Sequence, residues 1–449
     1  MKVSVSPALV NSQQSILEVS RGVEEFSLEN GLKVLIRPTD TSSAVSVWVL
    51  YRVGSRNESL GITGASHYCE HMLFKGGGKL GKGDIFKLVS FEGGSNNGFT
   101  DKDLTAYFET MPKERLDAGL FIESERMANS EFKEEEVDSE RSVVISEREG
   151  SENYPMYQIR EEMYANAFHV HSYKWPVVGW KSDLKKITRE DLFQYYKKYY
   201  HPNNAVLVVS GNVGSDLDEL KLRINSYFSK IPAGERAPKS VELDEPEQFG
   251  ERTSKIQRPG VLDYLIMGFR IPAVDHADIP SLIVLSAILG GWQGLIGFFG
   301  NRGGFVSRSN RLYKRLVDGR IASEVTLRFP LSIDPDLLTT EVTVIPGSSI
   351  QAAQSALVDE FDKIGDSPPS ETEMRVAFNQ IRSWHAYEND GVTSKALTLG
   401  VSEVLGNTGI LESLMRSALN VSPEDVREAA RKYIRERNRT TCSYESVSQ

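Results

Sequence analysis

The sequence has few cysteines, and this scarcity excludes one way of stabilising a fold. Only Cys69 and Cys442 occur in 449 residues. Two cysteines cannot build a disulfide framework, so a reducing compartment fits the sequence without being required. Basic residues are also in deficit, with 52 Lys and Arg against 62 Asp and Glu and a net charge of −10. This balance lacks the basic footprint of general nucleic-acid binding, so we expect no nucleic-acid partner.

Long hydrophobic runs are scarce as well. The first 20 residues lack the apolar core of a signal peptide, so we expect a cytoplasmic protein. One run, residues 281–300, carries no charge and is long enough to cross a membrane. Because five glycines and a glutamine occupy it from residue 290 onward, it predicts a buried helix at about 279–289 followed by a glycine-rich loop. We therefore expect no membrane span.

The chain is long enough for two domains, and it repeats itself. Segments beginning at Ile187 and Val421 match at five offsets: Thr188/Ser422, Glu190/Glu424, Asp191/Asp425, Lys198/Lys432 and Asn204/Asn438. Each segment predicts an N-capped helix followed by a strand. We therefore predict an α+β fold of two duplicated halves, each a mostly antiparallel sheet with helices packed on it. Two such halves are expected to enclose a cleft or chamber.

Composition predicts the boundary between the halves. Residues 231–260 are rich in proline, glycine and charge, which indicates a linker. We expect an N-terminal extension over 1–21, a first domain over 22–230, a linker over 231–250 and a second domain over 251–446. The second domain has no metal motif of its own.

The main chemical signal is the pattern His67-Tyr68-Cys69-Glu70-His71 in the first half. A helix places His67 and His71 on one face, where both imidazoles can bind one zinc ion. Glu70 lies beside them and can act as general base toward a water activated at the zinc. Cys69 points away from that face and is expected to pack. The alternative is a solvated helix with incidental histidines, although the pattern arises by chance in about one per cent of such chains.

A zinc site of this kind needs a third protein ligand from another rigid element. Residues 133–155 predict a helix that ends before Pro155. Glu140 and Glu147 are seven positions apart and therefore share a face of this helix. Either glutamate can be the ligand while the other supports the site from behind, and spacing alone leaves both open.

Together these features resemble the pitrilysin-type (M16) zinc metallopeptidases, which include mitochondrial processing peptidase and short bacterial relatives. The resemblance also rests on YYHPNNAVLVVSGNV, residues 199–213. It implies a zinc endopeptidase that binds one Zn²⁺ per chain and cleaves peptides or short unfolded segments. In the family the third ligand has the spacing that Glu147 has here, 76 positions after His71, and a further glutamate precedes it by seven. The resemblance therefore implies that Glu147 binds zinc and that Glu140 is a catalytic-site residue that orients it.

The resemblance also assigns a substrate-binding segment to residues 93–108. Its edge strand is expected to pair with extended substrate, and Asn97 and Gly98 fall where the family usually has Asn-Ala. His169 and His171 would share a face on a strand and so suggest a second metal ion. The resemblance instead implies that they belong to a structural segment.

The second half departs from the family pattern. Catalytically complete members carry an arginine and a tyrosine there that hold substrate near the metal. Ser323 replaces the tyrosine, and Arg315 and Arg320 are both imperfect matches for the arginine. Some short relatives divide these residues between two subunits. The resemblance thus implies a heterodimer with an Arg/Tyr-bearing partner, or else a homodimer.

The glycine-rich segment 290–308 is longer than the usual family turn. It is unusually apolar because of Trp292, Leu295, Ile296, Phe298 and Phe299. One hypothesis is a mobile flap that touches substrate or partner, and the alternative is a loop folded onto the body of the protein. Two rival functions also stay open: a non-catalytic structural subunit and a metal-dependent peptide binder without turnover.

Overall fold

The computed structural model describes residues 16–235, 245–292, 294 and 308–447. The strands are β1 (Glu24–Ser27), β2 (Lys33–Pro38), β3 (Ala44–Tyr51), β4 (Ser95–Thr100), β5 (Thr105–Pro112), β6 (Ala205–Gly211), β7 (Arg252–Pro259), β8 (Tyr264–Ile271), β9 (Ala322–Arg328), β10 (Asp336–Val344) and β11 (Arg439–Val447). The α-helices are α1 (Ala65–Met72), α2 (Asp84–Phe91), α3 (Leu116–Asn129), α4 (Glu134–Glu152), α5 (Pro155–Ala167), α6 (Lys181–Leu184), α7 (Arg189–Tyr199), α8 (Leu217–Phe228), α9 (Ile279–Gly290), α10 (Ile350–Asp366), α11 (Glu371–Glu388), α12 (Val392–Leu405), α13 (Ile410–Ala418) and α14 (Pro423–Tyr433).

The strands form two sheets, one of six strands and one of five, whose strand orders correspond. The first sheet has the order β1-β2-β6-β3-β5-β4, and the second has the order β7-β11-β8-β10-β9. In the first sheet β2 and β6 run parallel, and in the second β7 and β11 run parallel. The other described pairs are antiparallel. From β2 onward the two sheets correspond strand for strand, which confirms the predicted fold of two related α+β halves.

The repeated segments have the same local structure in both halves. Helices α7 and α14 each begin with a capping box between a hydroxyl residue and an aspartate three positions on: Thr188 with Asp191, and Ser422 with Asp425. After each helix an asparagine side chain donates to a carbonyl at the helix end: Asn204 to Tyr199, and Asn438 to Tyr433. The matched positions therefore cap the N-terminal ends of α7 and α14 and bond to their C-terminal ends, just before the strands β6 and β11.

The two halves exchange helices. Helix α5 of the first half packs on the second sheet, where Ile159 and Met163 are buried together with Ile266. Helix α12 of the second half packs on the first sheet, where Leu397 is buried together with Trp48. The opposite faces carry each half's own helices, α1, α3, α4, α7 and α8 on the first sheet and α9, α10, α11, α13 and α14 on the second. Both sheets are thus covered on both faces, which explains the nearly continuous apolar run AVSVWVLY in β3.

Residues 16–20 connect the halves from the N-terminal side. Ile16 is buried in the core of the second half, whereas Val19 is buried against the first sheet. The imidazole Nε2 of His385 lies 2.9 Å from the carbonyl oxygen of Leu17. The end of the predicted extension therefore packs against both halves.

A buried ion pair joins the halves at the turn between β4 and β5. The Lys102 ammonium donates to both carboxylate oxygens of Asp336, at 3.0 and 2.8 Å. It also lies over the rings of Tyr164 and Tyr173, 3.9 and 4.9 Å from their centroids. Asp336 is 1% exposed, so this pair is shielded from water.

The apolar run at 281–300 forms a buried helix over its first part. Helix α9 spans Ile279–Gly290, which confirms the predicted helix. In the described part of the chain, no helix is long and apolar enough to cross a membrane. Trp292 is 3% exposed and its ring lies 6.4 Å from that of Phe329, so this side chain belongs to the core. The remaining apolar residues of the proposed flap, Leu295, Ile296, Phe298 and Phe299, lie outside the described residues.

Candidate metal centre

Helix α1 carries the histidine pattern, and its start is fixed by a glycine and a buried glutamate. Gly64 has φ +89°, and a Cβ there would lie 2.3 Å from the carbonyl oxygen of Val178. The backbone N–H groups of Gly64 and Ser66 donate to the Glu58 carboxylate, at 2.7 and 2.8 Å. Glu58 therefore satisfies donors that a helix start leaves free, as a capping side chain would.

Three ligand atoms converge beside this helix. The Nε2 atoms of His67 and His71 lie 3.8 and 3.5 Å from Glu147 Oε2 on α4. All three candidate atoms lie within 4.8 Å of one another. Ligand atoms of tetrahedral zinc are about 3.3 Å apart. The two distances to Glu147 Oε2 are longer than this by about half an ångström or less, so small side-chain movements would bring this set of nitrogen and oxygen ligands to zinc geometry. Among the described residues, this is the one group of His, Cys, Asp and Glu whose ligand atoms all lie within 4.8 Å of one another.

Glu140 supports the site from behind. Its Oε1 lies 2.9 Å from His71 Nδ1, and because a carboxylate has no proton to give, the imidazole N–H donates. That tautomer leaves His71 Nε2 as the free ligand atom. The Lys75 ammonium pairs with the other oxygen of Glu140. Burial works against ionisation, but hydrogen bonds from Lys75 and His71 hold the pKa of Glu140 below its usual range.

His67 is held in the form that binds metal. Burial, with a smaller contribution from the neighbouring charge of His71, lowers the pKa of His67 to about 3. A neutral imidazole is the form of histidine that acts as a ligand. The Nδ1 atom of His67 is buried and has no hydrogen-bond partner within the described ranges.

Glu70 lies on the same helix and makes a contact with a neighbouring strand. Its side chain is 8% exposed, and burial raises its pKa. The hydroxyl of Thr100, the last residue of β4, donates to Glu70 Oε2 at 2.9 Å. This bond gives the carboxylate one fixed oxygen.

The predicted substrate-binding residues lie in β4, which is the edge strand of the first sheet. Asn97 is exposed and Gly98 is half-buried. A Cβ at Gly98 would lie 3.0 Å from the rings of Phe74 and Tyr107, so a larger side chain would be crowded there. One long side of β4 carries no neighbouring strand among the described residues, which leaves backbone groups for pairing.

The alternative of a second metal at His169 and His171 required a strand, and the segment is not a strand. His171 Nδ1 accepts from the backbone N–H of Tyr173 at 3.1 Å. Its Nε2 then donates to Asp334 at 3.0 Å. Both ring nitrogens of His171 are therefore engaged, Nδ1 by Tyr173 and Nε2 by Asp334, so neither has a lone pair free for a metal.

The candidate Arg/Tyr positions make their contacts inside the second half. Arg315 pairs with Asp359 of α10 at 2.9 Å. Ser323 donates weakly to the carbonyl oxygen of Thr343, at 3.4 Å. Arg320 has φ +55°, a left-handed backbone conformation. None of these contacts involves the metal group.

Three residues of the centre were not singled out from the sequence: Glu58, Lys75 and Thr100. Lys75 lies four positions after His71, so helical spacing was an available signal. Thr100 follows Asn97 by three positions in the predicted substrate segment. Glu58 has no local signal, because its contact with α1 depends on the path of the preceding loop.

Two family descriptions match the chain. "Insulinase (Peptidase family M16)" matches residues 33–179, and "Peptidase M16 inactive domain" matches residues 186–381. The duplicated fold and the His-His-Glu group on α1 and α4 define the class of proteins with an inverted zinc motif. Within that class, the chain belongs to the M16 peptidase family.

Named relatives agree with this assignment. The zinc protease PqqE of Helicobacter pylori is 34% identical over 60% of this chain and 61% of its own length. This chain thus matches under two thirds of that relative. A probable mitochondrial-processing peptidase subunit beta of Arabidopsis thaliana is 24% identical over 91% of this chain and 75% of its own length. The crystal structure of a protease from Helicobacter pylori superposes with a TM-score of 0.87 at 27% identity, covering 94% of this chain and 99% of that one.

Proposed function

We propose that the chain is a zinc-dependent endopeptidase that cleaves peptides or short unfolded segments. The observation that carries this proposal is the convergence of His67 Nε2, His71 Nε2 and Glu147 Oε2 beside Glu70. These three residues would hold one Zn²⁺ per chain, and Glu140 would orient His71 through its Nδ1–H. When bound, zinc polarises a scissile carbonyl and lowers the pKa of water.

The residues of the chain then have separate tasks. The carboxylate of Glu70 takes a proton from the attacking water, whose oxygen bonds to the scissile carbonyl carbon. Glu70 returns that proton to the amide nitrogen as the C–N bond breaks. The products are an amine and a carboxylic acid, and the acid then loses its proton to the amine or to solvent. The edge of β4 at Asn97 and Gly98 pairs with the backbone of an extended peptide, so recognition depends little on sequence.

The assembly we propose is a dimer in which this chain supplies the zinc site. Arg315 and Ser323 are engaged within the second half, which supports a missing Arg/Tyr pair. A second subunit of the same family would supply that pair, and a homodimer is the alternative assembly. The Arabidopsis relative is itself named as a subunit. The cytoplasmic location stays a prediction from the sequence.

A non-catalytic structural or peptide-binding subunit is the second candidate function. The observation that favours it is the match of residues 186–381 to a domain described as inactive. The intact group of His67, His71 and Glu147 in the other half favours the peptidase. Zinc content alone does not separate the two candidates, but turnover does.

The test is cleavage of a quenched fluorescent peptide library by the purified chain, with Glu70→Gln as the matched control. Zinc is measured in both proteins by mass spectrometry. The expected result is cleavage by the wild type once the Arg/Tyr-bearing subunit is present, and loss of that cleavage in E70Q with zinc retained. Cleavage by the wild-type chain alone would support the peptidase and favour the homodimer over the heterodimer. Equal cleavage by both proteins would contradict the proposed role of Glu70. Zinc binding without cleavage would favour the non-catalytic candidate unless a copurified partner restores turnover.

A further inference from the structure

The β4–β5 hairpin places one hydroxyl against the candidate general base. Thr100 ends β4, and its Oγ1 lies 2.9 Å from Glu70 Oε2. Glu70 is on α1, so this hydrogen bond links the metal-bearing helix to the edge strand proposed for substrate. Without this bond, no side-chain hydrogen bond among the described residues would couple the position of Glu70 on α1 to that of Thr100 on β4.

The direction of this hydrogen bond follows from the chemistry of its two partners and from the distances around the Thr100 hydroxyl. Thr105 lies opposite Thr100 in the hairpin and donates its proton to the carbonyl oxygen of Val53 at 2.9 Å. The contact between the Thr105 and Thr100 hydroxyls is longer, at 3.5 Å. Thr100 has one hydroxyl proton, and its nearer acceptor is Glu70 Oε2 rather than the Thr105 oxygen. An ionised Glu70 can only accept.

The hairpin that carries Thr100 is fastened at its tip. The backbone N–H of Ser55 donates to the carbonyl oxygen of Asp101, and that of Arg56 donates to the carbonyl oxygen of Lys102. The Lys102 side chain is held by Asp336 of the second half. The position of Thr100 is therefore set by contacts from both halves, and the second half reaches the site through this turn.

We propose that Thr100 is a positioning residue, whose hydroxyl holds one oxygen of Glu70 so that the other is directed to the water. The proposal rests on the proposed function. The second half would then contribute to the chemistry by fixing the position of Thr100, without supplying an arginine or a tyrosine.

The test compares Thr100→Val, which removes the hydroxyl and keeps the branched shape, with Thr100→Ser, which keeps the hydroxyl. Thr110→Val is the control, since Thr110 lies on β5 and bonds Ser46 and Thr393 instead. T100V should lower kcat by about 10- to 100-fold with KM within about twofold, the range known for residues that orient a metal site. T100S should recover most of that loss, and T110V should show none of it.

A second readout does not depend on turnover. Crystal structures of the zinc-loaded wild type, T100V and T100S give the side-chain dihedral angles of Glu70. We expect Glu70 to leave its wild-type rotamer in T100V and to keep it in T100S, with one zinc per chain in all three. If T100V does not fold, Thr100→Ala replaces it in both experiments.

The outcomes separate this inference from the function. An unchanged Glu70 rotamer together with unchanged kcat in T100V would overturn the role of Thr100 and leave the peptidase proposal intact. Loss of zinc or of folding in both T100V and T100A would also overturn it, because Thr100 would then be structural. A wild type that has no turnover even with the partner subunit present, but in which T100V still displaces Glu70, would contradict the peptidase proposal and support the positioning role.

Discussion

At the scale of single residues, the metal centre depends on a chain of contacts behind His71. His71 donates to Glu140, and Glu140 pairs with Lys75. Lys75 is 25% exposed at its side chain, so its charge is only partly screened. The ammonium keeps Glu140 ionised, and an ionised Glu140 keeps the His71 proton on Nδ1. In the proposed zinc site, Lys75 would therefore influence the affinity for the ion without contacting it.

Replacing Lys75 by methionine should weaken zinc binding by about 10-fold, because the partner of an orienting carboxylate is lost. Competition with a chelating dye measures the affinity. Lys75→Arg is the control, since it keeps a cation within reach of Glu140 and should stay close to the wild type. Equal zinc affinities for all three proteins would show that Glu140 needs no cation.

Glu58 makes stability depend on pH. Burial, partly offset by hydrogen bonds from Ser66 and Gly64, raises the pKa of Glu58 to about 8. In the unfolded chain a glutamate titrates near 4.5. Between about pH 4.5 and 8 the folded state therefore holds a proton that the unfolded state has released. Linkage then requires this group's contribution to the unfolding free energy to fall as pH rises through that window.

Glu58→Gln should remove that slope, because glutamine does not titrate. Urea unfolding at pH 5, 6.5 and 8 gives the unfolding free energy of both proteins. E58Q should be least stable relative to the wild type at pH 5, and the difference should shrink toward pH 8. A difference that stays constant over this range would mean that Glu58 is already ionised in the folded protein at pH 5.

The residues of the site differ in how far sequence could find them. The spacing of His67, Glu70 and His71 is local, so one turn of helix was enough to predict their shared face. Glu147 and Glu140 share a face of α4, and packing of α4 against α1 decides which one meets the imidazole Nε2 atoms. Thr100 reaches Glu70 through tertiary structure alone, which no spacing rule describes.

At the scale of elements, the sequence repeat was enough to predict two related sheets, but it did not predict that α5 and α12 pack on the sheet of the other half. Capping signals at Thr188 and Ser422 predicted α7 and α14, and the strand expected after each of these helices is present as β6 and β11. No local feature of the α5 or α12 sequence indicates which sheet the helix packs on. Their destination depends on the path of the whole chain.

The turn between β4 and β5 gives a prediction for stability. Lys102→Met leaves Asp336 buried without its cation, and breaking a buried ion pair on one side costs about 3–5 kcal/mol of unfolding free energy. The double variant Lys102→Met/Asp336→Leu removes both charges and should recover a large part of that loss. Guanidinium unfolding measures both. Equal losses in the single and the double variant would mean that the pair is worth little beyond its packing.

At the scale of the whole molecule, the halves are related in sequence but are not independent. The first sheet buries Trp48, Leu50, Val206 and Val208 in a cluster with α12. A fragment that lacks α12 exposes that surface to water, and apolar burial contributes about 25 cal/mol for each Å². Neither half is therefore expected to be stable by itself.

Fragments 1–240 and 241–449 test this dependence. Each fragment expressed alone should be insoluble or unfolded by circular dichroism, whereas the two expressed together should form a folded complex. The uncut chain is the control for expression and zinc content. A first fragment that folds alone would show that α12 is dispensable for its sheet.

The exchange of α5 and α12 also restricts how the molecule can move. A swing of one sheet away from the other would draw both helices out of their apolar contacts, so such a motion would cost much of the stability of the fold. Many two-domain enzymes admit substrate by domain closure. We therefore expect the two halves of this chain to move as one body. In the proposed dimer, access of substrate to the metal group would then depend on the neighbouring subunit rather than on a hinge.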